Sequence, residues 1–238
     1  MVLYCTEEKD RVNFHRRMPQ LPRISLMLLS VYFGLLCPVA LVAGSASTPD
    51  SRPRIVAFGD SLTAGLGVSA DESYPAQLQR RLDSLTYRYR VINAGVSGDT
   101  TAGGLRRVPW VLNSKPELVI LELGGNDGLR GLSLDQTKSN LRAIIERFQR
   151  AGVTVILAGM KLPPNYGPEY TMGFEAIYPT LAKQYHLPLI PFFLEGVAAS
   201  STLNQADGIH PTKEGYGMIV EQILKILSPL LDQRATKS

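Results

Sequence analysis

The chain has 238 residues, 45% hydrophobic and 19% charged, with 21 glycines and 16 prolines. That length suits a single α/β domain, and the apolar share excludes wholesale disorder and collagen-like or coiled-coil architectures. The net charge of +4 is local: residues 1–23 hold five Lys+Arg against three Asp+Glu, residues 24–46 hold none, and residues 47–238 hold 20 against 18. The body therefore carries no electrostatic footprint for nucleic acid.

Ile24 to Val42 is a 19-residue run without a charge. Arg16, Arg17 and Arg23 precede it, and the small residues Gly44 and Ala46 follow. A basic flank, an apolar stretch and a small-residue exit describe a secretory signal. The run is also nearly long enough to span a bilayer, so an uncleaved single-span anchor is the second reading. Either one exports the body to the periplasm or beyond and confines membrane contact to this segment. Residues 1–46 are expected to be this extension, 47–53 a linker and 54–231 the folded domain. Cys37 does not suit lipid attachment, because Leu36 precedes it and Pro38 follows. Both cysteines, Cys5 and Cys37, lie in this segment, so the body offers no disulfide, thiolate nucleophile or Cys-ligated metal. Its only histidines are His186 and His210, and neither a metal nor another cofactor is expected.

Arg54–Phe58 reads as a buried strand that runs into Gly59-Asp60-Ser61. Apolar residues at 74, 78, 82 and 85 predict a helix over Tyr74–Leu85. Tyr89–Ala94 reads as the second strand and Thr100–Leu112 as a helix weakened by Gly103, Gly104 and Pro109. Leu118–Leu123 is the third strand. Ser133 and Gln136 form a capping box for the clearest helix, which Gly152 stops. Val153–Ala158 is the fourth strand, Glu175–Tyr185 a helix, and Leu187–Phe193 holds a fifth short strand despite two prolines. Thr212–Leu230 is the last helix. Alternating strands and helices predict a three-layer αβα, flavodoxin-like domain with a five-stranded parallel sheet.

In such sheets ligands bind beyond the carboxyl ends of the strands, so the residues after each strand are the ones that carry chemistry. A hydroxyl nucleophile needs a base within hydrogen-bond reach, and the base needs an orienting acceptor. Asp207 and His210 are three apart before a helix, close enough for one turn to set the carboxylate against Nδ1. Ser61 follows the first strand directly and is the best serine. Acyl transfer also needs donors for the developing oxyanion. The Ser61 and Gly98 backbone N–H groups and the Asn126 side-chain amide lie at adjacent strand ends. Gly-x-Ser-x-Gly is absent, which argues against an α/β-hydrolase elbow.

Four blocks in this order, Gly59-Asp60-Ser61-Leu62, Asn93 to Gly104, Gly124-Gly125-Asn126-Asp127 and Asp207-Gly208-Ile209-His210-Pro211, resemble the GDSL or SGNH hydrolase superfamily. The likeness spans nearly all of residues 54–230 and is closest to the secreted bacterial thioesterase I, arylesterase and lysophospholipase branch. The resemblance implies Ser61 as nucleophile, Asp207 and His210 as the rest of a triad, and Ser61, Gly98 and Asn126 as the oxyanion hole. It also implies acyl esters, acyl thioesters and lysophospholipids as small-molecule substrates. A carbohydrate or peptidoglycan O-acetylesterase is the alternative within the superfamily, and a non-catalytic flavin- or phosphate-binding module is the alternative outside it.

The segment Met160 to Phe174 is read as a loop at the sheet's carboxyl edge with an unusual apolar loading. Leu162, Pro163, Tyr166 and Met172 are its expected substrate-binding residues, walling an acyl groove. Asp60 and Asp127 are read as loop braces, Glu122 as a structural carboxylate accepting backbone N–H groups, and His186 as a helix-end residue. Trp110 is read as packing, and Arg106-Arg107 as a solvated helix face.

Overall fold

A computed structural model describes residues 50–236. The expected N-terminal signal or anchor lies outside the described residues. Five strands form one parallel sheet: β1 (Arg54–Gly59), β2 (Arg90–Asn93), β3 (Leu118–Glu122), β4 (Thr154–Ala158) and β5 (Leu189–Ile190). Their order is β2-β1-β3-β4-β5. The connection after β1 therefore leaves in one direction and the one after β2 returns in the other, which opens a crevice at the carboxyl end of β1.

The helices are α1 (Ser61–Ala64), α2 (Tyr74–Ser84), α3 (Thr101–Asn113), α4 (Gly125–Leu129), α5 (Leu134–Arg150), α6 (Pro168–Tyr185) and α7 (Lys213–Ala235). α5 packs against both α3 and α6, and α2 packs against α7. Right-handed crossovers put these two groups on opposite faces of the sheet. With both faces covered, Ile55–Phe58 of β1 and Leu118–Leu121 of β3 are fully buried, as their unbroken apolar sequences require. The architecture is the single α/β domain with a five-stranded parallel sheet that the alternating pattern predicts. Among the described residues no helix is long and apolar enough to cross a membrane.

Several elements depart from the expectation. β5, the short strand expected within Leu187–Phe193, is confined to Leu189–Ile190, because Pro188 and Pro191 bracket it and neither can donate to a ladder. α7 runs to Ala235 through Pro229, with Leu231 still buried in the core. α6 begins at Pro168 and not at Glu175. The segment before it looks like loop because of its prolines, yet Pro at a helix's first position is favourable. Trp110 is 60% exposed, because α3 turns Val108 and Val111 inward and leaves Trp110 on its outer side. Arg106 is exposed as expected, but Arg107 is half-buried and reaches the strand ends.

Candidate active site

β1 ends at Gly59, where a Cβ would collide with the Thr63 hydroxyl and the Glu122 carboxyl. Only glycine lets these groups approach the strand so closely. Asp60 then caps α1, its Oδ1 accepting the Leu62 N–H at 3.0 Å. The cap turns the chain sharply and presents Ser61 as the first residue of that single turn. Gly98, in the turn after β2, takes a left-handed φ of +77°. The backbone N–H groups of Ser61 and Gly98 donate to no acceptor among the described residues.

Asp207 and His210 occupy one tight turn before α7. The Ile209 and His210 N–H groups donate to Asp207 Oδ1 at 2.9 and 3.0 Å. Asp207 Oδ2 lies 2.6 Å from His210 Nδ1, and His210 Nε2 lies 2.9 Å from Ser61 Oγ. The two backbone donors and the imidazole hold the Asp207 carboxyl down at about 2. It is an anion across the whole working range. The arrangement equips Nε2 to take a proton from the Ser61 hydroxyl while the carboxylate supports the imidazolium that results.

Asn126 stands on α4 directly after β3. Its Nδ2 donates to Asp60 Oδ2 at 3.0 Å, and its Oδ1 accepts from Arg130 Nη2 at 3.3 Å. Asp127, its neighbour, is buried and accepts the Thr101 N–H at 2.8 Å and the Thr101 hydroxyl at 2.5 Å. It ties α4 to the start of α3, as a loop brace should.

Beneath Asp60 lies Glu122, fully buried at the end of β3. Its Oε2 accepts the Thr63 hydroxyl at 2.7 Å and the Asp60 N–H at 3.3 Å, while Oε1 has no partner. Burial, reinforced by the neighbouring Asp60 charge, pushes Glu122 well above the usual carboxylate range. Burial also raises Asp60, to about 6, against the pull of Leu62 and Asn126. Asp60 has the better donors, so at neutral pH Glu122 keeps its proton and Asp60 carries the charge.

Arg107 was expected on a solvated face. It instead pairs with Asp99 at 2.6 Å and donates to the carbonyls of Ala94 at 2.8 Å and Gly59 at 3.1 Å. Its guanidinium also lies 4.6 Å from the centroid of the Phe58 ring. It joins the ends of β1 and β2, a long reach that one-dimensional charge patterning does not reveal.

Beside the Asp207–His210 turn lies an apolar cavity of about 390 Å³, with Leu129, Leu162, Pro163, Phe192, Ala198 and Ile209 among its walls. Gly125 borders it on the α4 side and Gly208 on the turn side. Leu162 and Pro163 are thus where an acyl groove would need them. Tyr166 and Met172 are not. Tyr166 donates from its hydroxyl to the Leu129 carbonyl at 2.9 Å, and Tyr170 does the same to Leu132 at 2.7 Å. Both brace the loop between α4 and α5. Met172 is 65% exposed on α6, because the early helix start sends it outward and buries Phe174. Sequence reasoning missed Leu129, at the end of α4, and Phe192, Ala198 and Ile209, which lie in the long connection between β5 and α7. Among the described residues no cluster of three His, Cys, Asp or Glu could hold a metal ion.

Residues 57–218 match the GDSL-like Lipase/Acylhydrolase family. The chain is similar to Esterase TesA of Pseudomonas aeruginosa, 46% identical over 178 residues that cover 74% of this chain and 89% of that protein. It is 42% identical over 179 residues to Thioesterase 1/protease 1/lysophospholipase L1 of Escherichia coli K12, covering 75% and 85% of the two chains. The crystal structure of TesA superposes with a TM-score of 0.72 at 45% identity, covering 74% of this chain and 99% of that one.

The buried acid pair makes stability depend on pH. The folded state holds a proton on Glu122 that the unfolded chain releases above about pH 4.5, so stability falls as pH rises through that window toward the folded value. Asp60 adds to the fall between its ordinary range and about 6. Glu122→Gln carries no such proton. Its unfolding midpoint should decline less than the parent's between pH 5 and pH 8, as read by thermal melts at matched ionic strength. Parallel curves would show that Glu122 is ionised in the folded protein.

Proposed function

The chain belongs to the GDSL-like lipase/acylhydrolase family and is a carboxylic ester hydrolase, and from that premise we propose a serine mechanism with a broad acyl-ester and acyl-thioester range. The carrying observation is the relay from Asp207 through His210 to Ser61, at 2.6 and 2.9 Å, at the end of the sheet's first strand. Ser61 Oγ attacks the acyl carbonyl carbon as its proton passes to His210 Nε2. The oxyanion that forms accepts from the Ser61 N–H, the Gly98 N–H and the second hydrogen of Asn126 Nδ2. The tetrahedral intermediate collapses, His210 returns the proton to the leaving alcohol or thiol, and an acyl-Ser61 ester remains. Water, deprotonated by His210, repeats the attack and releases the acid.

The apolar cavity supports acyl chains longer than acetyl and so favours aryl esters, acyl thioesters and lysophospholipids over carbohydrate O-acetyl groups. The name of the Escherichia coli relative combines thioesterase and lysophospholipase, in line with that range. The body works outside the cytoplasm, delivered by residues 1–46 acting as signal or anchor, with 47–53 as linker and 54–231 as the hydrolase domain.

Ser61→Ala should lower kcat by about 10⁴-fold or more with an unchanged unfolding midpoint. A fluorophosphonate should label Ser61 in the parent and nothing in the variant. Labelling of a different serine, with the variant still active, would overturn the assignment.

Chain-length dependence tests the groove. Each buried methylene is worth up to about 0.8 kcal/mol, a factor of roughly four in kcat/KM. Leu162→Ser should cost about ten-fold on p-nitrophenyl octanoate and less than about two-fold on the acetate. Equal losses on both esters would mean that Leu162 supports the fold only.

A further inference from the structure

We propose that Arg130 is a positioning residue of the oxyanion site, which locks the Asn126 amide in its donating orientation and ties it to Gly98. This rests on the reading of Ser61 as nucleophile and Asn126 as oxyanion donor. One guanidinium nitrogen, Nη2, donates to the Gly98 carbonyl at 2.9 Å and to Asn126 Oδ1 at 3.3 Å. It bridges the loop after β2 and the helix after β3.

A primary amide has a donating end and an accepting end. Asp60, an anion, can only accept, and it faces Nδ2. Arg130, whose guanidinium has donors and no acceptor, can only donate, and it faces Oδ1. A flipped amide would set Oδ1 against the carboxylate and the NH2 group against the guanidinium. The two charges together therefore select one orientation, in which Asp60 takes one Nδ2 hydrogen and the other is left for the oxyanion. Donation into Oδ1 also polarises the amide and makes that remaining N–H a better donor.

Arg130 is itself well placed. It closes α4 four residues after Asn126, a spacing that puts both side chains on one helical face. Its N–H donates to the Asn126 carbonyl at 3.2 Å. The flanking loop is pinned by Tyr166 at Leu129 and by Tyr170 at Leu132. Among the described residues no carboxylate forms an ion pair with Arg130. Its guanidinium is committed to the two oxygens of the site. A Cβ built on Gly98 would lie 3.6 Å from Nη2, so the guanidinium covers the left-handed turn from which the Gly98 N–H emerges.

The test is a double-mutant cycle on p-nitrophenyl butyrate, a neutral ester whose binding needs no cation. Arg130→Met should lower kcat by about ten-fold, leave KM within about two-fold and leave the unfolding midpoint unchanged. Arg130→Lys, which keeps the charge and a single donor nitrogen, should recover part of the loss. Asn126→Ala should lower kcat by about 10²–10³-fold. Added to Asn126→Ala, Arg130→Met should cost no more than about two-fold, because the amide it orients is gone. The full ten-fold loss in that background, an effect confined to KM, or no loss in the single variant would each overturn the role of Arg130. An Asn126→Ala variant with undiminished kcat would instead sink the oxyanion reading beneath it.

Discussion

The carboxylate of Asp60 sits where β1 and β3 run out side by side, paired through Gly59 and Glu122. It is 2% exposed, and a buried anion is tolerated only where donors replace its lost water. Those donors are the Leu62 N–H and the Asn126 amide. The first bond turns the chain into α1 and aims Ser61; the second fixes Asn126. Solvating this one charge and setting the geometry of the site are therefore the same two hydrogen bonds. Glu122 completes the arrangement by accepting from the Asp60 N–H and the Thr63 hydroxyl, so the chain on both sides of the charge is held from below.

The histidine half of the site has no strand to stand on. The residues between β5 and α7 lack regular ladders, and polar side chains replace them. Asn204 is buried and donates to the Val197 carbonyl at 2.6 Å, and it bridges to Pro211. The Gln205 N–H donates to the His210 carbonyl at 2.7 Å, while its Nε2 reaches Leu66 at 2.8 Å and Pro211 at 3.0 Å. Leu66 lies just past α1, so Gln205 gauges the distance between the serine turn and the histidine turn. A Cβ on Gly67 would run into that Gln205 side chain. The histidine turn is thus registered against the serine turn by hydrogen bonds at Gln205 and at His210.

What the sequence made legible has a common cause. Ser61, Gly98, Asn126, Asp207 and His210 each sit in a short block of small and polar residues directly after a strand or before a helix. Local chain direction alone brings such blocks to one sheet edge. The same local logic correctly put the buried Glu122 in a structural place and His186 at the end of α6, where it adopts a left-handed φ of 52°. It failed where a long side chain decides. Arg107 looks solvated by its spacing but spans two strand ends; Trp110 looks like core but faces out. Tyr166 and Met172 read as groove walls because the apolar loading of residues 160–174 reads as one loop, whereas α6 opens at Pro168. Arg130 left one trace, its four-residue spacing from Asn126, which is meaningful only once residues 125–129 are known to be helical.

Charge imposes the last constraint on the site. In the serine mechanism an oxyanion develops beside Asn126, whose other amide hydrogen already lies on the Asp60 carboxylate. Two like unit charges about 5 Å apart repel by about 3 kcal/mol at an effective dielectric near 20. A second carboxylate charge on Glu122 would add to that, and burial prevents it by keeping Glu122 protonated. The cation that acts on Asp60 is His210, and in the serine mechanism its ring becomes an imidazolium as the oxyanion forms. Arg130 acts at the opposite end of the Asn126 amide, on Oδ1. Its part is to hold the amide with one hydrogen on Asp60 and the other free for the oxyanion, which is why its removal should register in kcat, where the oxyanion is formed, and hardly in KM.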